Sequence, residues 1–241
     1  MDWALVTDPR RNLLRQKRAA WLAKDFQFQS WLSSNSSDML LVNAMETTWP
    51  MDVPSSTTYL ISLLSQSLSS RKAALPLTFL CAMHANPGDY LEGPWGLLRS
   101  LSYQLVTQSS LNDSDLSFMD LQLLDGLRTY EISSLCDLFQ RLLSTVGLQT
   151  WQPIFCLVDG ISWFEDGMRQ REMGGVMKSL REFVEFLKVN QADTGIILKV
   201  LVTSPTAVGF EAQGWLKGVR EIKLLDVVLS EDVLDGDTLL G

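Results

Sequence analysis

Apolar residues in this chain gather into short unbroken runs, and between the runs they recur at helical spacing. The clearest run is Ile154, Phe155, Cys156, Leu157 and Val158, followed at once by Asp159 and Gly160. Such a run predicts a strand buried on both faces, with a carboxylate at its carboxyl end. A second strongly apolar strand is expected over 196–203, in IILKVLVT, stopped by Pro205. Weaker strands are expected over 39–43, 77–83 and 221–225. Helical spacing appears from Ser55 or Ser56, either of which could cap, with Leu60, Ile61, Leu63, Leu64 and Leu68 on the buried side. Further helices are expected over 97–108, over 132–146 and over 173–189. A short helical piece through Leu124 would be capped by Asp113, Ser114 or Asp115. Strands and helices that alternate in this way predict an α/β fold with a mainly parallel sheet covered on both faces, a three-layer sandwich.

The two ends of the chain differ from the middle. Pro9 can open a helix over 10–23 that sets Leu14, Trp21 and Leu22 on one side and Arg11, Arg15 and Arg18 on another. Phe26, Phe28, Trp31 and Leu32 read as further packing residues. From Asp226 onward the chain carries Asp226, Glu231, Asp232, Asp235 and Asp237 without a base, which reads as a solvated acidic tail. The expected organisation is a basic amphipathic helical lead-in over 1–36, a core over 37–226 and an acidic tail over 227–241.

Composition narrows the function. Of the 241 residues 46% are hydrophobic, enough for a sizeable core, and the net charge of -8 argues against a general nucleic-acid binder. Six of the 20 basic residues nevertheless precede Asp25, so a contact of the first helix with a partner or an acidic membrane surface stands beside the ordinary surface-helix reading. Cys81, Cys136 and Cys156 are odd in number and sit in apolar runs, which suggests free thiols in a reducing, cytoplasmic setting. No apolar run approaches the ~20 residues of a membrane-spanning helix.

Candidate chemistry starts from Asp159. An acid at the carboxyl end of a parallel strand can hold Mg²⁺ beside a nucleotide, and equally Asp159 and Gly160 can simply begin a turn. A nucleotide also needs a glycine-rich loop, a helix N-terminus and a lysine for its phosphates. The loop over 43–57 has no glycine, no lysine occurs between Lys24 and Lys72, and Glu46 and Asp52 add negative charge. Gly88 and Gly93 have the mutual spacing of such a loop, but Pro94 and Trp95 follow where lysine and a hydroxyl are needed. Thr203 and Ser204 end the second buried strand, where hydroxyls could sense a terminal phosphate or cap a turn. His84 is the only histidine, and no nucleophile elbow or metal-ligand spacing is present, so no catalytic residue is expected.

In order along the chain stand AAWLAKDFQFQSWLSSNSSDMLLVN, LPLTFLCAMH, GPWGLLRSLSYQLV, PIFCLVDGISWFED and LKVLVTSP. Together these pieces resemble the NACHT-like domains of fungal STAND proteins, signal-transducing NTPases often joined to ankyrin or WD repeats. The resemblance implies a P-loop NTPase-type sheet in which Asp159 is the Walker B aspartate for Mg²⁺ and Gly160 its following glycine. Thr203 and Ser204 would take the sensor position. The phosphate-loop glycines and lysine have no counterparts here, Ser162 and Trp163 replace the usual further acids, and Pro205 replaces an arginine. The expectation is a degenerate domain acting as a regulatory or protein-interaction module without efficient hydrolysis. One alternative is a nucleotide-binding NTPase that takes Mg²⁺ with ATP or GTP, using Asp159 and the N-terminus of the Ser56 helix. The other is an adaptor working through the basic first helix.

Overall fold

In the computed structural model the described residues are 9–46, 54–71, 74–109, 111, 116–206 and 214–224. The chain opens with helices α1 (Pro9–Lys24) and α2 (Phe26–Ser33), the latter capped by Asp25, whose carboxylate accepts the N–H groups of Gln27 and Phe28. Then come β1 (Asp38–Asn43), α3 (Ser56–Arg71), β2 (Leu75–Leu80), α4 (Gly93–Gln108), α5 (Leu121–Arg128), α6 (Ile132–Thr150), β3 (Ile154–Asp159), α7 (Gly167–Val189), α8 (Gln191–Thr194), β4 (Leu198–Ser204) and β5 (Arg220–Lys223). Single 3₁₀ turns follow β2 and β3, at Cys81–His84 and Ile161–Phe164.

The five strands form one sheet in the order β2-β3-β4-β1-β5, and every neighbouring pair is parallel. Successive side chains on a strand point to opposite faces, so each central strand feeds two cores. Ile154, Cys156 and Val158 of β3, with Val200 and Val202 of β4, pack beneath Leu97, Leu101, Phe139, Leu143, Val176 and Leu180 of α4, α6 and α7. Phe155 and Leu157, with Leu201 and with Leu40 and Val42 of β1, pack against Leu22, Phe28, Trp31 and Ile61 of α1, α2 and α3. Helices therefore cover both faces, and the fold is the α/β three-layer sandwich expected from the alternation of elements. The three cysteines are free and buried.

Several boundaries and faces differ from expectation, each for a local reason. β2 occupies Leu75–Leu80 and not 77–83, because Pro76 lies on a sheet edge where its missing N–H breaks no ladder bond, and the chain coils at Cys81. α4 begins at Gly93 and α7 at Gly167, ahead of their first apolar stripe. α6 runs on to Thr150, where Trp151 takes a left-handed conformation. α5 is capped by Asp120, whose Oδ1 accepts the Leu123 N–H at 2.8 Å; the expected caps Asp113, Ser114 and Asp115 lie outside the described residues. In the lead-in, Leu22, Phe28 and Trp31 are buried, whereas Trp21 is exposed and Phe26 is 83% exposed. Leu63 of α3 is likewise exposed. Arg18, expected on the polar face of α1, is only 8% exposed and turns inward, donating to the carbonyls of Ala44 and Leu224. Asp226 and the acidic tail over 227–241 lie outside the described residues. No helix among the described residues is long and apolar enough to cross a membrane.

Candidate functional site

Strand parity decides which polar side chains meet at the carboxyl edge of the sheet. Asp159 continues the series Phe155, Leu157 and therefore faces α3, as does Thr203, which continues Leu201. Val158 lies opposite Val202, and Thr203 lies opposite Val42 of β1, so the next residue of β3 meets Thr203 side by side. Ser204 has the other parity. Its hydroxyl donates to the Thr206 carbonyl at 2.8 Å and takes no part in the Asp159 cluster.

Above this pair stands the first turn of α3. Ser55 precedes the helix and its Oγ accepts the Thr58 N–H at 2.8 Å, the bond of an N-cap. The same Oγ lies 2.7 Å from both Thr57 Oγ1 and Thr58 Oγ1. Those two hydroxyls reach down to Asp159. Thr57 Oγ1 donates to Oδ1 at 3.1 Å and Thr58 Oγ1 to Oδ2 at 2.5 Å, while Thr203 Oγ1 donates to Oδ1 at 2.5 Å. Gly160, in a left-handed conformation at φ +79°, turns its N–H back to the Thr203 carbonyl at 2.9 Å and to Thr203 Oγ1 at 3.2 Å. A Cβ at this position would stand 3.0 Å from the Trp163 ring, so both the turn and the packing favour glycine.

Asp159 is 2% exposed. Burial raises its pKa, and the hydroxyls of Thr203, Thr58 and Thr57 work in the opposite direction by bonding the charged form. The buried Cys81 thiol is pushed well up, first by its burial and then by the Asp159 charge. Both groups are thus held in a dry, low-dielectric corner.

Ser56 has a different partner from Thr57 and Thr58. Its N–H donates to Glu46 Oε1 at 3.2 Å and its hydroxyl to the same oxygen at 2.5 Å. Glu46 in turn is anchored by its own N–H on the Pro205 carbonyl at 2.8 Å. A carboxylate from the chain therefore occupies the N-terminus of α3, where the helix dipole and a free N–H favour an anion. The buried cation at this end of β1 is Arg18, directed at the Ala44 carbonyl.

Of the residues singled out from sequence, the fold brings Asp159, Gly160 and Thr203 into one hydrogen-bonded cluster and keeps Ser204 and Ser56 on separate partners. Thr57, Thr58, Ser55 and Glu46 were missed by sequence reasoning. The signal was present in the run Ser55, Ser56, Thr57, Thr58, because hydroxyls at the first turn of the helix after β1 face the end of the neighbouring strands whether or not a glycine and lysine precede them.

The donor set does not suit a Mg²⁺-nucleotide. Bound phosphates would have to displace Glu46 without a lysine to neutralise them, and a cation at Asp159 would have to displace hydroxyls from both carboxylate oxygens. As it stands, the arrangement is a buried polar clamp joining α3, β3 and β4.

A family model described as nephrocystin 3, N-terminal, matches residues 17–204, from within α1 to the end of β4. No curated protein matches the chain.

Proposed function

The chain belongs to the nephrocystin 3 N-terminal family, and from that premise we propose that it is a degenerate NACHT-like domain of P-loop NTPase type, acting as a regulatory or protein-interaction module without efficient nucleotide hydrolysis. The observation that carries the reading is the state of Asp159. A Walker B aspartate must offer its oxygens to Mg²⁺. Here both oxygens are engaged by hydroxyls of α3 and β4 in a site 2% exposed, and Glu46 holds the helix N-terminus that should receive phosphate. The polar groups of the old reaction centre, on this reading, now fasten the helix to the sheet. Free buried thiols suit the reducing, cytoplasmic setting expected of such a module.

The NACHT-like relationship itself rests on the five ordered sequence pieces and on the order of strands around Asp159. One observation favours the nucleotide-binding alternative, namely that the Thr57 hydroxyl lies beside Asp159, as a phosphate-loop hydroxyl does when both share Mg²⁺. The adaptor alternative loses Arg18 from its basic face, since that side chain is buried against Ala44 and Leu224.

Calorimetry with Mg²⁺ and ATP or GTP separates these readings, and a hydrolysis assay completes the test. The expected result is no turnover above background and no heat that depends on Asp159. Hydrolysis at the rate of a working NTPase, abolished by Asp159→Asn, would overturn the proposal. Nucleotide binding without turnover, lost in the same variant, would replace it with the binding alternative.

A further inference from the structure

The longest helix carries a second feature with no connection to Asp159. On α7, Gly174, Gly175, Lys178 and Arg181 stand three, four, seven and ten residues after Arg171, so all five share one face of the helix. Together with Trp215, from the turn that precedes β5, they line a groove of about 510 Å³. That is the size of a small-molecule site. None of the described residues lining it is acidic, although the whole chain has a net charge of -8.

The groove is built from donors. Arg171 is exposed and has no carboxylate within ion-pair reach among the described residues. Among the described residues Lys178 has only a distant surface pair with Glu182, at 4.0 Å between two well exposed side chains, which holds it weakly. Arg181 is fixed by the carbonyls of Trp215 at 3.0 Å and Lys217 at 3.1 Å, both from Nη1, so its guanidinium is oriented by neutral groups, and no described carboxylate pairs with it. Gly174 is required for the wall itself, because a Cβ there would stand 2.6 Å from Trp215 Nε1. The indole thus lies against bare helix backbone. At Gly175 the nearest atom to an added Cβ is the Ile132 methyl at 3.8 Å, which leaves the groove floor open.

The spacing of the cations selects the ligand. A helix rises ~1.5 Å per residue, so Arg171 and Lys178 stand roughly 10 Å apart along the axis and Arg181 another ~5 Å on. One phosphate cannot reach all three; a chain or ring of phosphates can. Guanidinium forks and an ammonium match phosphoryl oxygens, the one in bidentate fashion and the other as a point charge. We propose that the groove between α7 and the Trp215 turn binds a small molecule carrying several phosphoryl groups, either free or as a lipid headgroup.

The test uses the full chain with inorganic tripolyphosphate in the presence of a chelator, followed by titration calorimetry and thermal shift. Vesicles containing phosphatidylinositol bisphosphate form the second arm. Tripolyphosphate is expected to bind, with affinity falling as salt rises, and Arg171→Glu with Lys178→Glu is expected to weaken binding at least about tenfold. Gly175→Glu, which fits sterically and puts a carboxylate on the floor, should do the same while circular dichroism stays unchanged. Lys17→Glu with Lys24→Glu, which makes an equal charge change on α1, should leave binding intact. Vesicle binding that follows the same variants would assign the headgroup as the source, and its absence beside tripolyphosphate binding would assign a free ligand. The proposal is overturned if neither probe binds, if the groove variants bind as the wild type does, or if the α1 variant loses binding equally.

Discussion

Lys199 offers a worked test of how the lead-in helices are tied to the sheet. It sits in β4 with the parity of Leu201, so it faces α2, and it is 1% exposed. Its Nζ donates to the Trp31 carbonyl at 2.8 Å and to Ser34 Oγ at 2.9 Å, at the carboxyl end of α2. Burial lowers its pKa from 10.5 to about 8, with the Asp38 charge opposing and Arg220 and Lys188 assisting. The folded value lies below the unfolded one, so the folded protein gives up its proton first as pH rises. The burial penalty is then present in full below about pH 8 and is relieved progressively up to about pH 10.5. A difference of this size corresponds to ~3 kcal/mol at most, and nearer ~2 kcal/mol once solvent screening around the ammonium is allowed for. Lys199→Met keeps the apolar stem, removes the titration, and deprives Trp31 O and Ser34 Oγ of a donor at about 1 kcal/mol each. Urea unfolding followed by tryptophan fluorescence at about pH 7 and about pH 9.5 measures both proteins, and other titrating groups cancel in the difference. Wild type should gain about 1–2 kcal/mol over the variant between the two pH values, because the upper one lies about a unit short of the unfolded pKa. A difference that stays constant, or that shifts towards the variant at high pH, would refute the reasoning.

Thr57→Val with Thr58→Val removes two of the three hydroxyls on Asp159 and should cost about 2–4 kcal/mol in denaturant unfolding at neutral pH. Because those hydroxyls lower the carboxyl pKa, their loss raises it further, so the cost should shrink as the pH is lowered and Asp159 takes up a proton; serine at both positions should restore most of the stability. Gly160→Ala places a Cβ at φ +79° and 3.0 Å from the Trp163 ring, and thermal unfolding should report a loss of about 1–2 kcal/mol.

The strands were readable because burial on both faces demands unbroken runs such as Ile154 to Val158, rich in β-branched and aromatic residues, whereas the equally long run Ala19 to Ala23 in α1 is mostly alanine. Helix starts were less readable, since the first turn of α4 is Gly93, Pro94, Trp95 and Gly96, that of α7 holds Gly167, Arg169 and Gln170, and neither carries an apolar stripe to announce it. Arg18 defeated the pattern for another reason. A long side chain is assigned to solvent by periodicity, yet its guanidinium could be buried because the carbonyls of Ala44 and Leu224, supplied by distant segments, were waiting for a donor. The candidate site divides along the same line. Asp159 and Thr203 are legible from the ends of two apolar runs, and parity then predicts that Thr203 and not Ser204 turns to the aspartate, given only that β3 and β4 are neighbours in register. The strand order that makes them neighbours is not written locally in either run. Thr57 and Thr58 were hidden by the expectation that a phosphate loop is recognised by glycine and lysine. Those residues serve the phosphates, whereas the hydroxyls serve the carboxylate. The hydroxyls can stand without glycine and lysine beside them, because a buried Asp159 without donors would carry the full desolvation cost of its charge.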